Sequence, residues 1–230
     1  MTVHEQASHS VVHLGSKGFP HGEALGVLCG EWIFTCAHYL SALPLEFDTH
    51  VIIEAWRTAD ATRGDFSVLH ASTMDFMILA PDGMIVGSSD GAGPTESSWD
   101  VIYAAAEAGF TLNPCAVAFQ DDSNVASVDG FFFGQDGKTT HSATFELRRH
   151  SALITFESND TAPGCSGGPL FTNAGQLIGV FTHTSKVPIN RALHHCIGRR
   201  IDLCIPLLFS RQIPWEFMLV GTTTSKISHT

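Results

Sequence analysis

The run Gly164-Cys165-Ser166-Gly167-Gly168-Pro169-Leu170 decides the reading of this chain. It follows an apolar, strand-like segment, Ala152-Leu153-Ile154-Thr155-Phe156, and precedes a second one, Leu177-Ile178-Gly179-Val180-Phe181. A serine held between glycines on a tight turn exposes its hydroxyl and leaves backbone N–H groups to face whatever it attacks. Acyl transfer asks for that arrangement, a nucleophile beside a small pocket of donors for the developing oxyanion. Glycines and a proline also make an ordinary hairpin turn, so this run alone leaves both readings open.

Thr35-Cys36-Ala37-His38 breaks the tie. The stretch from Gly26 to Phe34 is apolar, punctuated by Gly30 and Glu31, and reads as two short strands running into His38. This pattern resembles the histidine region of chymotrypsin-like serine proteases. The glycine-serine run resembles the same family's Gly-Asp-Ser-Gly-Gly-Pro motif, and both occur in the family's chain order, histidine before serine.

The resemblance implies an all-β fold: two six-stranded antiparallel Greek-key barrels with the active site in the cleft between them. It implies a serine endopeptidase working through an acyl-enzyme, with Ser166 as nucleophile, His38 as general base, and the N–H groups of Gly164 and Ser166 as the oxyanion hole. The third catalytic group should be a carboxylate at the start of a buried strand. Asp75-Phe76-Met77-Ile78-Leu79-Ala80 fits the family's Asp-x-Ala-x-Leu pattern, and Asp65-Phe66-Ser67-Val68-Leu69 has similar grammar. Asp75 is preferred, because Phe66 to Ala71 then supplies the preceding strand and Asp65 reads as a turn residue after Arg63-Gly64.

Departures from the family pattern carry information of their own. Cys165 stands where zymogen-activated members have an aspartate that pairs with a new amino terminus, so the resemblance is closest to bacterial-type members. Viral cysteine relatives place their nucleophile at the Ser166 position, which argues against Cys165 in that role. Secreted members often have a cysteine directly after the histidine, where this chain has Tyr39. The six cysteines, at 29, 36, 115, 165, 196 and 204, therefore read as free thiols in a reducing compartment, and the expected location is cytoplasmic.

Asp160, six residues before Ser166, falls in the slot where trypsin-like members hold a substrate Arg or Lys, which implies that preference before the scissile bond. Thr184 falls where open-pocket members have glycine, and Phe181 where glutamate-cleaving members have histidine. The segment Thr182, His183, Thr184 has the spacing of the substrate-pairing strand, which receives an extended peptide main chain to main chain. Alternatives remain: a catalytically inactive protease-fold binding module, or a protease with small-residue or acidic preference.

The chain has 230 residues, 44% of them hydrophobic, with 21 glycines and 10 prolines, as short apolar strands broken by turns would need. A division into 1–95 and 96–230 follows. The first barrel is expected at about 10–80, the connection at Pro81 to Ser98, the second barrel at about Trp99 to Pro206, and a polar tail at Gly221 to Thr230. Twelve basic against 23 acidic residues give a net charge of −11 with no basic patch, so the expected partner is a protein or peptide substrate and not nucleic acid. There is no basic, apolar leader and no run long enough to span a bilayer, so no membrane association is expected. His194-His195-Cys196 has no second Cys/His pair at zinc-like spacing, so no metal and no cofactor are expected. Arg148-Arg149 and Arg199-Arg200 read as solvated loop positions, and regulation by a protein partner stays open.

Overall fold

Strands whose inward residues are apolar, separated by glycine- and proline-marked turns, close on themselves rather than leave edges. The computed structural model describes residues 2–16, 19–29, 32–42, 52–57, 63–72, 75–81, 124–185, 193–201 and 203. The connection beyond Pro81, the expected start of the second barrel at Trp99 and the tail from Gly221 lie outside these residues. The first barrel comprises β1 (Val11–Ser16), β2 (Phe19–Cys29), β3 (Trp32–Thr35), β4 (Ile52–Arg57), β5 (Arg63–Ser72) and β6 (Phe76–Pro81). The second comprises β7 (Val125–Phe133), β8 (Thr140–Arg148), β9 (Leu153–Ser158), β10 (Pro169–Thr172), β11 (Leu177–Thr184) and β12 (His194–Arg200).

Both barrels are closed, six-stranded and antiparallel, in the orders β1-β2-β3-β6-β5-β4 and β10-β11-β12-β9-β8-β7. Read from β7, the second order repeats the first, although no repeat is visible in the sequence. The alternation expected of strands with one buried face is clear in β9, where Ile154, Phe156 and Ser158 turn inward. The first core gathers Leu14, Ile33, Ile53, Met77 and Leu79. The second is aromatic, with Phe145 edge-on to Phe156 at 5.1 Å between ring centres and Phe156 edge-on to Phe181 at 5.9 Å.

Two features differ from the sequence expectations or were absent from them. Arg199 and Arg200 are not loop residues but lie on β12, and Arg200 is buried. Its guanidinium closes the barrel end by donating to the Arg148 carbonyl at 2.7 Å and the Ser151 carbonyl at 3.4 Å, which satisfies a charge that sequence reasoning would leave in water. The second feature is a short helix, α1 (Val3–Ser8), begun by a capping box in which Thr2 and Glu5 exchange bonds. A helix of this length needs tertiary support. It buries Ala7 and sets the His4 ring 4.1 Å from the Phe131 ring, with His4 Nδ1 3.1 Å from the Thr140 hydroxyl. Among the described residues no helix is long and apolar enough to cross a membrane.

Phe145 is fully buried at the centre of the second core. Phe145→Ala should lower unfolding free energy by about 3–5 kcal/mol in urea titration; a loss below about 1 kcal/mol would show that the core collapses around the gap.

Candidate active site

β3 ends at Thr35, whose buried hydroxyl donates to the Leu25 carbonyl at 2.7 Å. A 3-10 helix, Ala37–Ala42, starts at once and carries His38 to the surface, leaving its side chain 44% exposed. On the neighbouring strand, Asp75 stands immediately before β6 with φ 61, a left-handed conformation that aspartate tolerates better than most residues. Its carboxylate accepts the His38 backbone N–H at 2.7 Å and faces His38 Nδ1 at 3.1 and 3.0 Å through its two oxygens. Asp65 lies on β5, paired in register with Glu54.

This contact sets the charges. The bond to Asp75, assisted by one to Cys36, pushes the His38 pKa up to about 10 against the opposing effect of partial burial. Burial works to raise the Asp75 carboxyl, but the side-chain and backbone bonds from His38 outweigh it and hold it below the ordinary carboxylate value. His38 Nε2, on the far side of the ring, lies 3.7 Å from the buried Cys36 Sγ.

Ser166 tips the turn between β9 and β10 and is tied into both barrels. Its carbonyl accepts the Leu25 N–H from β2 at 2.8 Å, while Gly167 N–H donates to Phe181 and Phe181 N–H to Gly168, each at 2.7 Å. Gly167 has φ +84, and a Cβ there would sit 2.0 Å from the Leu25 carbonyl oxygen and 2.1 Å from Thr35 Oγ1. Only glycine allows the barrels to approach so closely at this point. The Ser166 hydroxyl donates to the Thr182 carbonyl at 2.8 Å. Gly164 has φ +95, and among the described residues neither its N–H nor that of Ser166 meets an acceptor.

Cys165 is buried in the second core, its sulfur accepting the Ala162 N–H at 3.4 Å, and burial pushes the thiol's pKa up. Bonds from Cys165 N–H to Ala162 at 3.1 Å and from Gly168 N–H to Cys165 at 3.0 Å complete a locally closed loop. A buried, protonated thiol is an inert one.

The residues expected to set specificity make contacts of their own. Asp160 is solvent-facing, with its side chain 58% exposed, and its carboxylate lies 3.5 Å from His141 Nδ1. Thr161 and Thr184 hydroxyls meet at 3.0 Å, with Thr161 Oγ1 3.7 Å from the Cys196 sulfur. Thr182 is buried, donating to the Ile197 carbonyl at 2.9 Å and lying 3.1 Å from His183 Nδ1. His183 is exposed; partial burial lowers its pKa, opposed by Asp75 and reinforced by the His38 and Arg199 charges. β10 pairs with β11 only as far as Val180, whereas β12 pairs with it to Thr184, so the β10-side edge at Thr182 to Thr184 carries no strand among the described residues.

Cys36, His141, Thr161 and Gln135, whose side chain lies against Gly164, were not singled out from sequence. For Cys36 the signal was present, a thiol two residues before the histidine. The others are set by strand register and had none.

Trypsin-like peptidase domain is the family description that fits the chain, matching residues 21–180. The chain belongs to that family. The trypsin-like peptidase match spans His38, Asp75, Asp160 and Ser166. Solved structures agree on the fold. Deg5 superposes with a TM-score of 0.53 at 17% identity, covering 88% of each chain. An inactive form of Rv3671c from M. tuberculosis H37Rv gives 0.51 at 15% identity, covering 92% of each chain. The serine endoprotease from Yersinia pestis gives 0.51 at 13% identity, over 91% of this chain and 66% of its own. No curated protein matches the sequence.

The raised His38 pKa has a definite sign. The charged imidazole is favoured by folding, so its stabilising contribution is complete below the ordinary histidine pKa of about 6.5 and is lost as pH rises through about 10. Proton NMR of the His38 ring should show a midpoint well above 6.5, and Asp75→Asn should move it down; an unmoved midpoint would remove Asp75 as its cause.

Proposed function

We propose that this trypsin-like peptidase domain is an active serine endopeptidase. The observation that carries the reading is the His38–Asp75 contact at 3.0 Å, formed in one barrel beside a serine turn that the other barrel presents to the same seam. In this reading Asp75 holds the imidazole with Nδ1 protonated, and Nε2 acts as general base in the molecules that have lost its proton, a fraction that grows as pH rises towards about 10. The Ser166 hydroxyl rotates away from the Thr182 carbonyl and gives its proton to His38 Nε2 as its oxygen attacks the scissile carbonyl. The new oxyanion is received by the N–H groups of Gly164 and Ser166. Collapse of the tetrahedral adduct expels the amine, protonated by His38, and leaves an acyl-Ser166 ester that water hydrolyses by the same proton route. The edge at Thr182, His183 and Thr184, which pairs with no strand among the described residues on its β10 side, supports binding of an extended peptide as an added strand.

A specific observation bears on substrate choice. The Arg/Lys preference rests on Asp160, yet that carboxylate already faces His141, and Thr184, at the position where open-pocket members have glycine, is hydrogen-bonded to Thr161. These contacts favour a small, uncharged residue before the scissile bond. The same reading assigns the protein to a reducing, cytoplasmic compartment, supported by free thiols at Cys36, Cys165 and Cys196.

Ser166→Ala should reduce peptide cleavage by roughly 10⁶-fold with the fold retained, as for other serine nucleophiles. Cleavage at the wild-type rate in Ser166→Ala would remove Ser166 as nucleophile, and no cleavage by the wild-type protein would leave the inactive binding module as the reading. On a peptide library, Thr184→Gly should raise cleavage after Phe or Arg relative to Ala by at least about tenfold, whereas Asp160→Ser should barely alter the profile. A wild-type profile dominated by Arg and Lys and lost in Asp160→Ser would restore the basic preference.

A further inference from the structure

A metal-binding imidazole in a protein has a recognisable setting: one ring nitrogen on the ion, the other donating to a carboxylate that fixes the tautomer and raises ligand basicity. His38 has the second half of that setting, with Nδ1 3.0 Å from Asp75. On the opposite side of the ring stands a thiol, Cys36 Sγ, 3.7 Å from Nε2. Metal–sulfur and metal–nitrogen bonds of about 2.3 and 2.0–2.1 Å, meeting at a tetrahedral angle, put sulfur and nitrogen about 3.5–3.6 Å apart. The Cys36–His38 separation is therefore close to a ready-made edge of a tetrahedral site. Ligand atoms of Cys36, His38 and Asp75 all lie within 4.8 Å of one another, the one such grouping among the described residues.

We propose that Cys36 and His38 form an inhibitory site for a thiophilic divalent ion, Zn²⁺ being the natural candidate, with Asp75 as the carboxylate behind the imidazole. Thiolate and imidazole are the donors that borderline-soft ions prefer over calcium or magnesium. Binding releases the Cys36 thiol proton and the His38 Nε2 proton to solvent, and two protein ligands leave two positions to solvent, so the site is reversible rather than a permanent structural centre. The ion reaches it along the imidazole edge, because the Cys36 thiol is buried while the His38 side chain is 44% exposed. Once bound, it occupies Nε2, the nitrogen that must take the Ser166 proton. The inhibitory consequence rests on the catalytic reading above; ion binding itself does not.

The two parts are tested separately. Co²⁺ is titrated into the full-length Ser166→Ala protein, which cannot digest itself. The expected result is one ion per chain, with a thiolate-to-cobalt charge-transfer band and visible bands of tetrahedral intensity. Both should vanish in Cys36→Ala and in His38→Ala, the latter leaving every thiol in place, and Asp75→Asn should weaken binding about 10–100-fold. Cys36→Ser, which conserves volume in the core, guards against loss through misfolding and should also lose the thiolate band. No band, or a band that persists in either the Cys36 or the His38 variant, overturns the site. On the serine-intact protein, Zn²⁺ should inhibit cleavage, and Cys36→Ala should raise the inhibitory concentration by at least about tenfold whatever its own turnover. Zn²⁺ inhibition unchanged by Cys36→Ala overturns the inhibitory role, and cleavage by Ser166→Ala itself would mark failure of the catalytic reading instead.

Discussion

A single backbone hydrogen bond, from the Leu25 N–H in the first barrel to the Ser166 carbonyl in the second, is the contact on which the candidate site depends. Neither barrel alone can place a serine against a histidine, because each supplies one of the pair. Leu25 is committed on both sides: its N–H holds the serine turn, and its carbonyl accepts the Thr35 hydroxyl just before the histidine helix. One residue thereby ties the serine turn to the strand end that leads into the histidine helix. The absence of a side chain at Gly167 is what permits this spacing, since any Cβ would overlap both Leu25 and Thr35. Close packing transmits position here more stiffly than a long side-chain bridge could.

The same seam bears on how such a turn is organised without an aspartate before the serine. The loop from Ala162 to Gly168 closes on itself through short-range bonds, and Cys165 buries its thiol in the second core beneath it. An apolar anchor needs no counter-charge, whereas a buried carboxylate at this position would. The loop is accordingly held by contacts internal to the folded barrels.

Legibility in the sequence followed the range of the interactions involved. The strands around His38 and Ser166 were readable because alternation and glycine turns are local signals, and the two closed barrels followed from the family those motifs resemble. The choice of Asp75 over Asp65 came from strand grammar, and the structure sets Asp75 against His38. What escaped was whatever depends on register between distant strands. His141 reaches Asp160, and Thr161 reaches Thr184, only because β8, β9, β11 and β12 are aligned as they are. Arg200 misled for the same reason: its charge suggests solvent, but strand alternation turns it inward to carbonyl groups it can satisfy. The short helix α1 was missed because its stability is tertiary rather than local.

That helix also imposes an order of events on folding. His4 and Thr140, which it brings together, are 136 residues apart in the chain, and Phe131 is the ring that His4 meets. During synthesis α1 emerges long before β7 and β8 exist, so its docking surface is still unmade while the first barrel is already able to close. Too short to persist unaided, the segment stays unstructured until that surface forms. Docking of α1 thus waits for β7 and β8, and the helical signal from residues 3–8 reports that this pair of strands has formed.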